Sequence, residues 1–226
     1  MTPTKILFIC HGNICRSPMA EAIMNHMIHE SSNHSVENFH VESAATSREE
    51  IGNDIYPPAK RCMDAHGIPY KFRAAHQVTP EDYDRFDYII CMDENNVRNL
   101  KRIIPSDPDR KISKMLNWAH PDYVHGRKDD VADPWYTGDF EQTYQDIVTG
   151  CRGFLDAFIE IEPGRYRHYK GNEYEVLCMA RHSENLEAMV IYRALYGEGR
   201  VWARPAMMWN ETVIVDGEEV PRFKRI

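Results

Sequence analysis

Lys5-Ile6-Leu7-Phe8-Ile9-Cys10-His11-Gly12-Asn13-Ile14-Cys15-Arg16-Ser17-Pro18 is the stretch that decides how this chain is read. Lys5–Cys10 is a short continuous apolar run, the pattern of a strand buried on both faces of a sheet. Pro18 suits the first position of a helix, and Ala22, Ile23 and Met27 recur behind it on one helical face. Between strand and helix the chain must curl. Consecutive backbone N–H groups in such a curl point inward and form an anion-binding nest from His11 to Ser17, and the helix N-terminus adds its partial positive charge. Arg16 offers a planar fork for two phosphate oxygens. The Cys10 thiol lies in that field, which stabilises a thiolate aimed at a bound phosphorus. That is nucleophilic catalysis through a covalent intermediate. Gly12 permits close backbone approach, and the Ser17 hydroxyl can donate to the thiolate. A bare Cys-x5-Arg arises by chance in many chains; the strand before it and the helix after it give this one its weight.

Working outward, Phe39–Ser43 reads as a second strand and Tyr88–Met92 as a third buried one, with Lys111–Leu116 a candidate fourth. Helices are expected around Ala59–His66, closed by Gly67, over Glu94–Ile104, and over Phe140–Ile159. Strand–helix alternation implies right-handed crossovers and a parallel sheet with helices on both faces. Ligands in such sheets bind beyond the carboxyl ends of the strands, which is where the Cys10 loop lies.

The 226 residues carry 27 basic and 35 acidic side chains, a net charge of −8 that argues against a nucleic-acid coat or a polybasic membrane-surface protein. No apolar run approaches the roughly 20 residues of a membrane span. The N-terminus lacks a signal-peptide core and cleavage site, so a cytoplasmic protein is expected. Its six cysteines are then free thiols. Charge and texture change together near Glu160–Gly164. Residues 163–226 hold 10 basic and 9 acidic side chains, against 17 and 26 before them. Two domains are expected, 1–160 and 163–226. Short β-branched and aromatic runs fill the second, with hairpin signals at Lys170-Gly171-Asn172 and Asp216-Gly217. Five strands there imply a small, mostly-β domain, an SH3-like barrel or a curled sheet.

Phosphoryl transfer to a thiolate needs an acid for the departing oxygen. Asp133-Pro134-Trp135-Tyr136 supplies a carboxyl in a stiff loop, with two flat rings to wall a substrate. With these pieces in hand, residues 5–158 resemble the low-molecular-weight protein tyrosine phosphatase family. The likeness runs through Cys10–Pro18, Ser43-Ala44-Ala45-Thr46-Ser47, His66-Gly67-Ile68, Tyr88–Asp93 and Asp133–Tyr136.

The resemblance implies a four-stranded parallel α/β fold that hydrolyses phosphate monoesters with no metal or other cofactor. It implies Cys10 as nucleophile, Arg16 as phosphoryl clamp, and Asp133 as the acid that later activates water. Asn13 would hold the loop with help from His66. Apart from the resemblance, Asp93 follows a strand end near the site, where it either helps to hold a loop or caps a helix. Cys15 matches a second loop cysteine able to form a protective disulfide with the nucleophile. Expected partners are a phosphorylated protein or small aryl phosphate, with inorganic phosphate or another oxyanion in the loop; no membrane or nucleic acid is expected there. One departure stands out. Arg48-Glu49-Glu50 occupies the place where many members carry an apolar wall residue, so Glu49 becomes part of the substrate wall and specificity is left open.

Competing readings remain at this level. Arginine-phosphate hydrolysis uses the same loop, but its practitioners tend to carry Thr where this chain has Ile14. Arsenate reductases need a further cysteine pair after the third strand, which is missing. A non-catalytic phosphate-binding module has no use for both Cys10 and Asp133. Of eleven histidines, the pairs His26/His29 and His120/His125 lack partners at metal-site spacing, and no metal is expected. Residues 163–226 resemble a small bacterial family known only as a domain of unknown function, through Tyr166–Gly171, Ala180–Ser183 and Tyr192–Gly197; that likeness supplies no activity.

Overall fold

The computed structural model describes residues 3–30, 39–119, 121–126, 128–184, 187–209, 211–215 and 217–226. His120 and Asp216 fall outside them. Among the described residues the chain forms two compact units, one of residues 3–28 and 39–152 and the other of residues 29–30 and 153–226.

The first unit is a four-stranded parallel sheet in the order β2-β1-β3-β4. Its strands are β1 (Thr4–Cys10), β2 (Phe39–Ala45), β3 (Tyr88–Cys91) and β4 (Ile112–Lys114). Ile6–Cys10 are almost wholly buried, as a central strand covered on both faces must be. Leu7, Ile9, Ala44, Ile89 and Cys91 form one core layer with Phe86, Leu100 and Ile104. The helices are α1 (Arg16–Glu30), α2 (Pro57–Ala65), α3 (Asp82–Arg85), α4 (Glu94–Leu100), α5 (Pro121–Val124), α6 (Pro134–Thr137) and α7 (Phe140–Asp156). In this order β1 runs between β2 and β3, and the crevice at its carboxyl end is where the topology switches direction. Cys10 pairs with Ala45 at that end.

Several boundaries differ from the sequence-based expectation, each for a local reason. Helix α1 starts at Arg16, so Pro18 is its third residue and not its first. This is tolerated because the first four helical N–H groups have no intrahelical partner. Helix α4 stops at Leu100; Pro105 disfavours helical backbone at Ile104, and the chain leaves through turns. Strand β4 ends at Lys114 because Met115–Asn117 wind into a 3-10 turn. Helix α7 ends at Asp156, and Ile159 and Ile161 go into the core of the second unit. Among the described residues no helix is long and apolar enough to cross a membrane.

The second unit is mostly antiparallel β. Strands β5 (Gly164–His168), β6 (Glu173–Arg181), β7 (Ala188–Ala194) and β8 (Val201–Pro205) join β11 (Phe223–Arg225) in one sheet, ordered β11-β5-β6-β7-β8. A short helix α8 (Ala206–Trp209) precedes the hairpin of β9 (Thr212–Val215) and β10 (Glu218–Pro221). Gly171, at φ 95°, makes the tight turn between β5 and β6. Strands β10 and β11 are two more than the sequence announced; Glu218 and Glu219 give β10 no apolar alternation. Trp209 stacks on Phe223 at 3.9 Å and packs edge-on against Tyr166 and Tyr192 to build the core.

Candidate active site

The loop from Cys10 to Arg16 is held by its carbonyls. Those of Cys10, His11, Ile14 and Cys15 accept from the backbone N–H groups of Thr46, Ser47, Tyr56 and Met19. In a trans peptide the N–H points opposite to the carbonyl before it. The N–H groups of His11, Gly12, Cys15 and Arg16 are therefore turned to the inside of the curl. The Cys10 Sγ accepts from the Asn13 N–H at 3.2 Å and lies 3.0 Å from Ser17 Oγ. Nest and helix N-terminus converge on this sulfur.

Asn13 adopts φ 58°, a left-handed conformation that Asn bears better than most residues. It is buried, and its amide group is fully engaged. Its Nδ2 donates to Ser17 Oγ and to Ser43 Oγ, both at 2.9 Å. Its Oδ1 accepts from Arg73 Nη2 at 2.8 Å. Arg73 also donates to Ser43 Oγ and to Glu21. The loop conformation thus rests on Ser43 from β2 and on Arg73 from an irregular segment. His66 plays no part in it, contrary to what the resemblance implied. Its Nε2–H donates to Glu141 Oε2 at 2.8 Å, and its ring stacks on Tyr144. Arg73 has no sequence signal, because it belongs to neither helix nor strand.

Arg16 is 3% exposed and bridges two carboxylates. Nη1 donates to Asp93 Oδ2 at 2.5 Å and Nη2 to Asp133 Oδ2 at 2.6 Å. Burial opposes its charge, but Cys10, Asp133 and Asp93 outweigh that and hold the guanidinium above its ordinary pKa. Besides Arg16, Asp93 caps α4, its Oδ1 accepting from the Asn96 N–H. Asp133 caps α6 through the Trp135 N–H. Its loop is tied down on both sides. The Val131 N–H donates to the Met92 carbonyl, the Ala132 N–H to Asp146, and the Thr143 hydroxyl to the Ala132 carbonyl.

Cys10, Arg16, Asp93 and Asp133 line one cavity of about 420 Å³, with Glu49, Glu50, Trp135 and Tyr136 at its wall. Trp135 and Tyr136 are largely exposed, and Trp135 is backed by Tyr56 at 5.4 Å. Glu49 pairs with His11 at 3.1 Å, and Glu50 accepts from Asn53 at 2.6 Å. Both acids are thus spoken for locally. Asn95, Arg98 and Asn99 of α4 also line the cavity; the sequence did not single them out because nothing in their spacing does. The second loop cysteine differs from the first. Burial above all, then the charge at Cys10, pushes the Cys15 thiol up to about 12, so it stays protonated beside Cys10. Burial likewise raises Cys91 and Cys151, which are core residues.

A cysteine in an anion nest, at the switch point of a parallel α/β sheet, marks the class of cysteine-dependent phosphatases. Residues 5–162 match the family model described as low molecular weight phosphotyrosine protein phosphatase. The human protein of that name is 42% identical over 154 residues, 67% of this chain and 94% of its own length. Among solved structures, YfkJ from Bacillus subtilis superposes with a TM-score of 0.63 at 34% identity, over 70% of this chain and 95% of that one. A protein tyrosine phosphatase from Entamoeba histolytica, solved with Hepes in its active site, gives 0.59 at 28% identity, over 67% and 94%. The chain belongs to the low molecular weight phosphotyrosine protein phosphatase family and is a protein-tyrosine phosphatase of it. Residues 164–225 match a second model, described as a protein of unknown function (DUF1653).

Proposed function

We propose that phosphotyrosine on a protein is hydrolysed here through a cysteinyl-phosphate intermediate built on Cys10. The carrying observation is the convergence of the Cys10 sulfur, the Arg16 fork and the Asp133 carboxyl on one cavity. The thiolate forms an S–P bond as the aryl O–P bond breaks, and Asp133 gives its proton to the departing phenolate. Water then attacks the thiophosphate, Asp133 takes the water's proton, and the S–P bond breaks to release inorganic phosphate. The inward N–H groups and Arg16 stabilise the equatorial oxygens throughout. A phosphoryl group that takes the Arg16 fork competes with Asp133 for it and frees the carboxyl to face the leaving oxygen. Trp135 and Tyr136 provide flat surfaces for the ring. The sulfonate buffer in the Entamoeba relative supports an oxyanion site at this place. A panel of phosphotyrosine and phosphoarginine peptides tests the substrate class; preference for phosphoarginine would overturn the assignment.

The reading includes redox protection in a cytoplasmic enzyme. Mild peroxide should convert Cys10 to a sulfenic acid, which the neighbouring Cys15 thiol condenses with to form a disulfide and water. Activity should be lost and then restored by reductant, and Cys15→Ser should make the loss harder to reverse. Mass spectrometry after oxidation should find the Cys10–Cys15 linkage; its absence would remove Cys15 from this role.

We also propose that phosphatase chemistry needs only residues up to about 160, with 163–226 a separate module. All of Cys10, Asn13, Arg16, Ser17 and Asp133 precede that boundary. A chain ending at Glu162 should turn over a small aryl phosphate at a near-normal rate, with any deficit confined to phosphorylated protein. A folded truncation unable to hydrolyse the small substrate would show that the second module builds part of the site.

A further inference from the structure

Outside the phosphatase loop, the end of α2 and the start of α7 bring together a thiol, an imidazole and a carboxylate. Cys62 and His66 are four residues apart, in the last turn of α2 and at its cap, so both face the same way. Glu141 stands in the first turn of α7. The donor atoms of Cys62, His66 and Glu141 all lie within 4.8 Å of one another. Donors around a tetrahedral zinc ion are about 3.5 Å apart, given bond lengths near 2.0–2.3 Å. The donors therefore need to draw together by no more than about 1.3 Å.

We propose that Cys62, His66 and Glu141 form a binding site for a divalent cation of the zinc class. One sulfur, one nitrogen and one oxygen donor suit that borderline ion, and water completes a fourth position. The supporting shell is already in place. The His66 ring is held by stacking on Tyr144 at 3.7 Å and 10°. Glu141 keeps Oε2 on His66, while its Oε1 accepts from Gln145 Nε2 at 2.8 Å. Cys62 is half-buried, with only a weak 3.5 Å hydrogen bond to the Phe140 carbonyl to give up. The cation takes the Nε2 position, and the single ring proton of neutral His66 moves from Nε2 to Nδ1 by exchange with solvent. Cys62 loses its thiol proton to solvent, the one proton released. Nothing is oxidised or reduced. Access is through an open cavity lined by Cys62, Glu141, Tyr56, Trp135 and Phe140. The bound ion staples the end of α2 to the start of α7.

The test is a Co²⁺ titration of full-length protein carrying Cys10→Ser, which removes the thiol of the phosphatase loop. One equivalent of Co²⁺ should produce a thiolate-to-cobalt charge-transfer band, and Zn²⁺ should displace it. Calorimetry with Zn²⁺ in two buffers should show one ion bound and one proton released. Adding Cys62→Ser should abolish the band and the heat, and Gln145→Ala should weaken binding about tenfold. If Cys62→Ser does not fold, loss of binding in His66→Ala carries the same comparison. The absence of a band in Cys10→Ser, or its persistence without Cys62 or His66, would overturn the site.

Discussion

Cys10→Ser should fold normally and lose turnover on phosphotyrosine peptides and aryl phosphates alike, by on the order of 10⁶-fold in kcat, the scale seen when an enzyme loses its covalent nucleophile. A serine hydroxyl keeps the hydrogen bonds that Asn13 N–H and Ser17 make to the sulfur. It is a far weaker nucleophile at neutral pH, since the nest does not suffice to ionise an alcohol. Binding of inorganic phosphate or vanadate should survive, because the inward N–H groups and Arg16 are untouched. The measurement is steady-state kinetics paired with anion binding by calorimetry. Near-normal turnover in Cys10→Ser would remove the covalent mechanism altogether.

For Asp133→Asn, the expected loss is about 10²–10⁴-fold, the usual contribution of a positioned general acid. It should be largest for substrates whose leaving group is a poor one and small for an activated nitrophenyl ester, which departs without a proton. The pH profile gives a second readout. The wild-type kcat/KM should be bell-shaped, since turnover needs a Cys10 thiolate and a protonated Asp133 at once. Asn cannot titrate, so the variant should lose the alkaline limb and keep the acidic one. Asparagine retains the cap on α6, where Asp133 accepts from the Trp135 N–H, so the loop should keep its place. An unchanged profile, or an equal loss for every leaving group, would assign the acid elsewhere.

Much of the first unit was legible because its signals are local. The buried run into Cys10, the curl, and a helix starting within two residues of its expected position are written in consecutive side chains. A residue's neighbours along the chain dictate whether it is extended or coiled there. The parallel order followed from the alternation of elements, and so did the position of the loop at the carboxyl end of β1. The second unit was less legible. Its strands are short and half-exposed, and β10 and β11 carry no alternation, so their existence depends on partners found only after folding.

Sequence alone was enough to place this protein among the phosphatases of its family, and the proposed nucleophile loop and Asp-Pro loop are each written in consecutive residues. Tertiary structure decided what holds those groups and what else they touch. Asn13 is braced by Ser43 and Arg73 and not by His66. Arg16 is shared between Asp93 and Asp133, 77 and 117 residues away along the chain. His66 was released from the loop to meet Cys62 and Glu141. The division has one cause. Backbone conformation is set by sterics and hydrogen bonds within a few residues, whereas side-chain partners from distant segments are chosen by strand register and helix packing, which no short window of sequence contains.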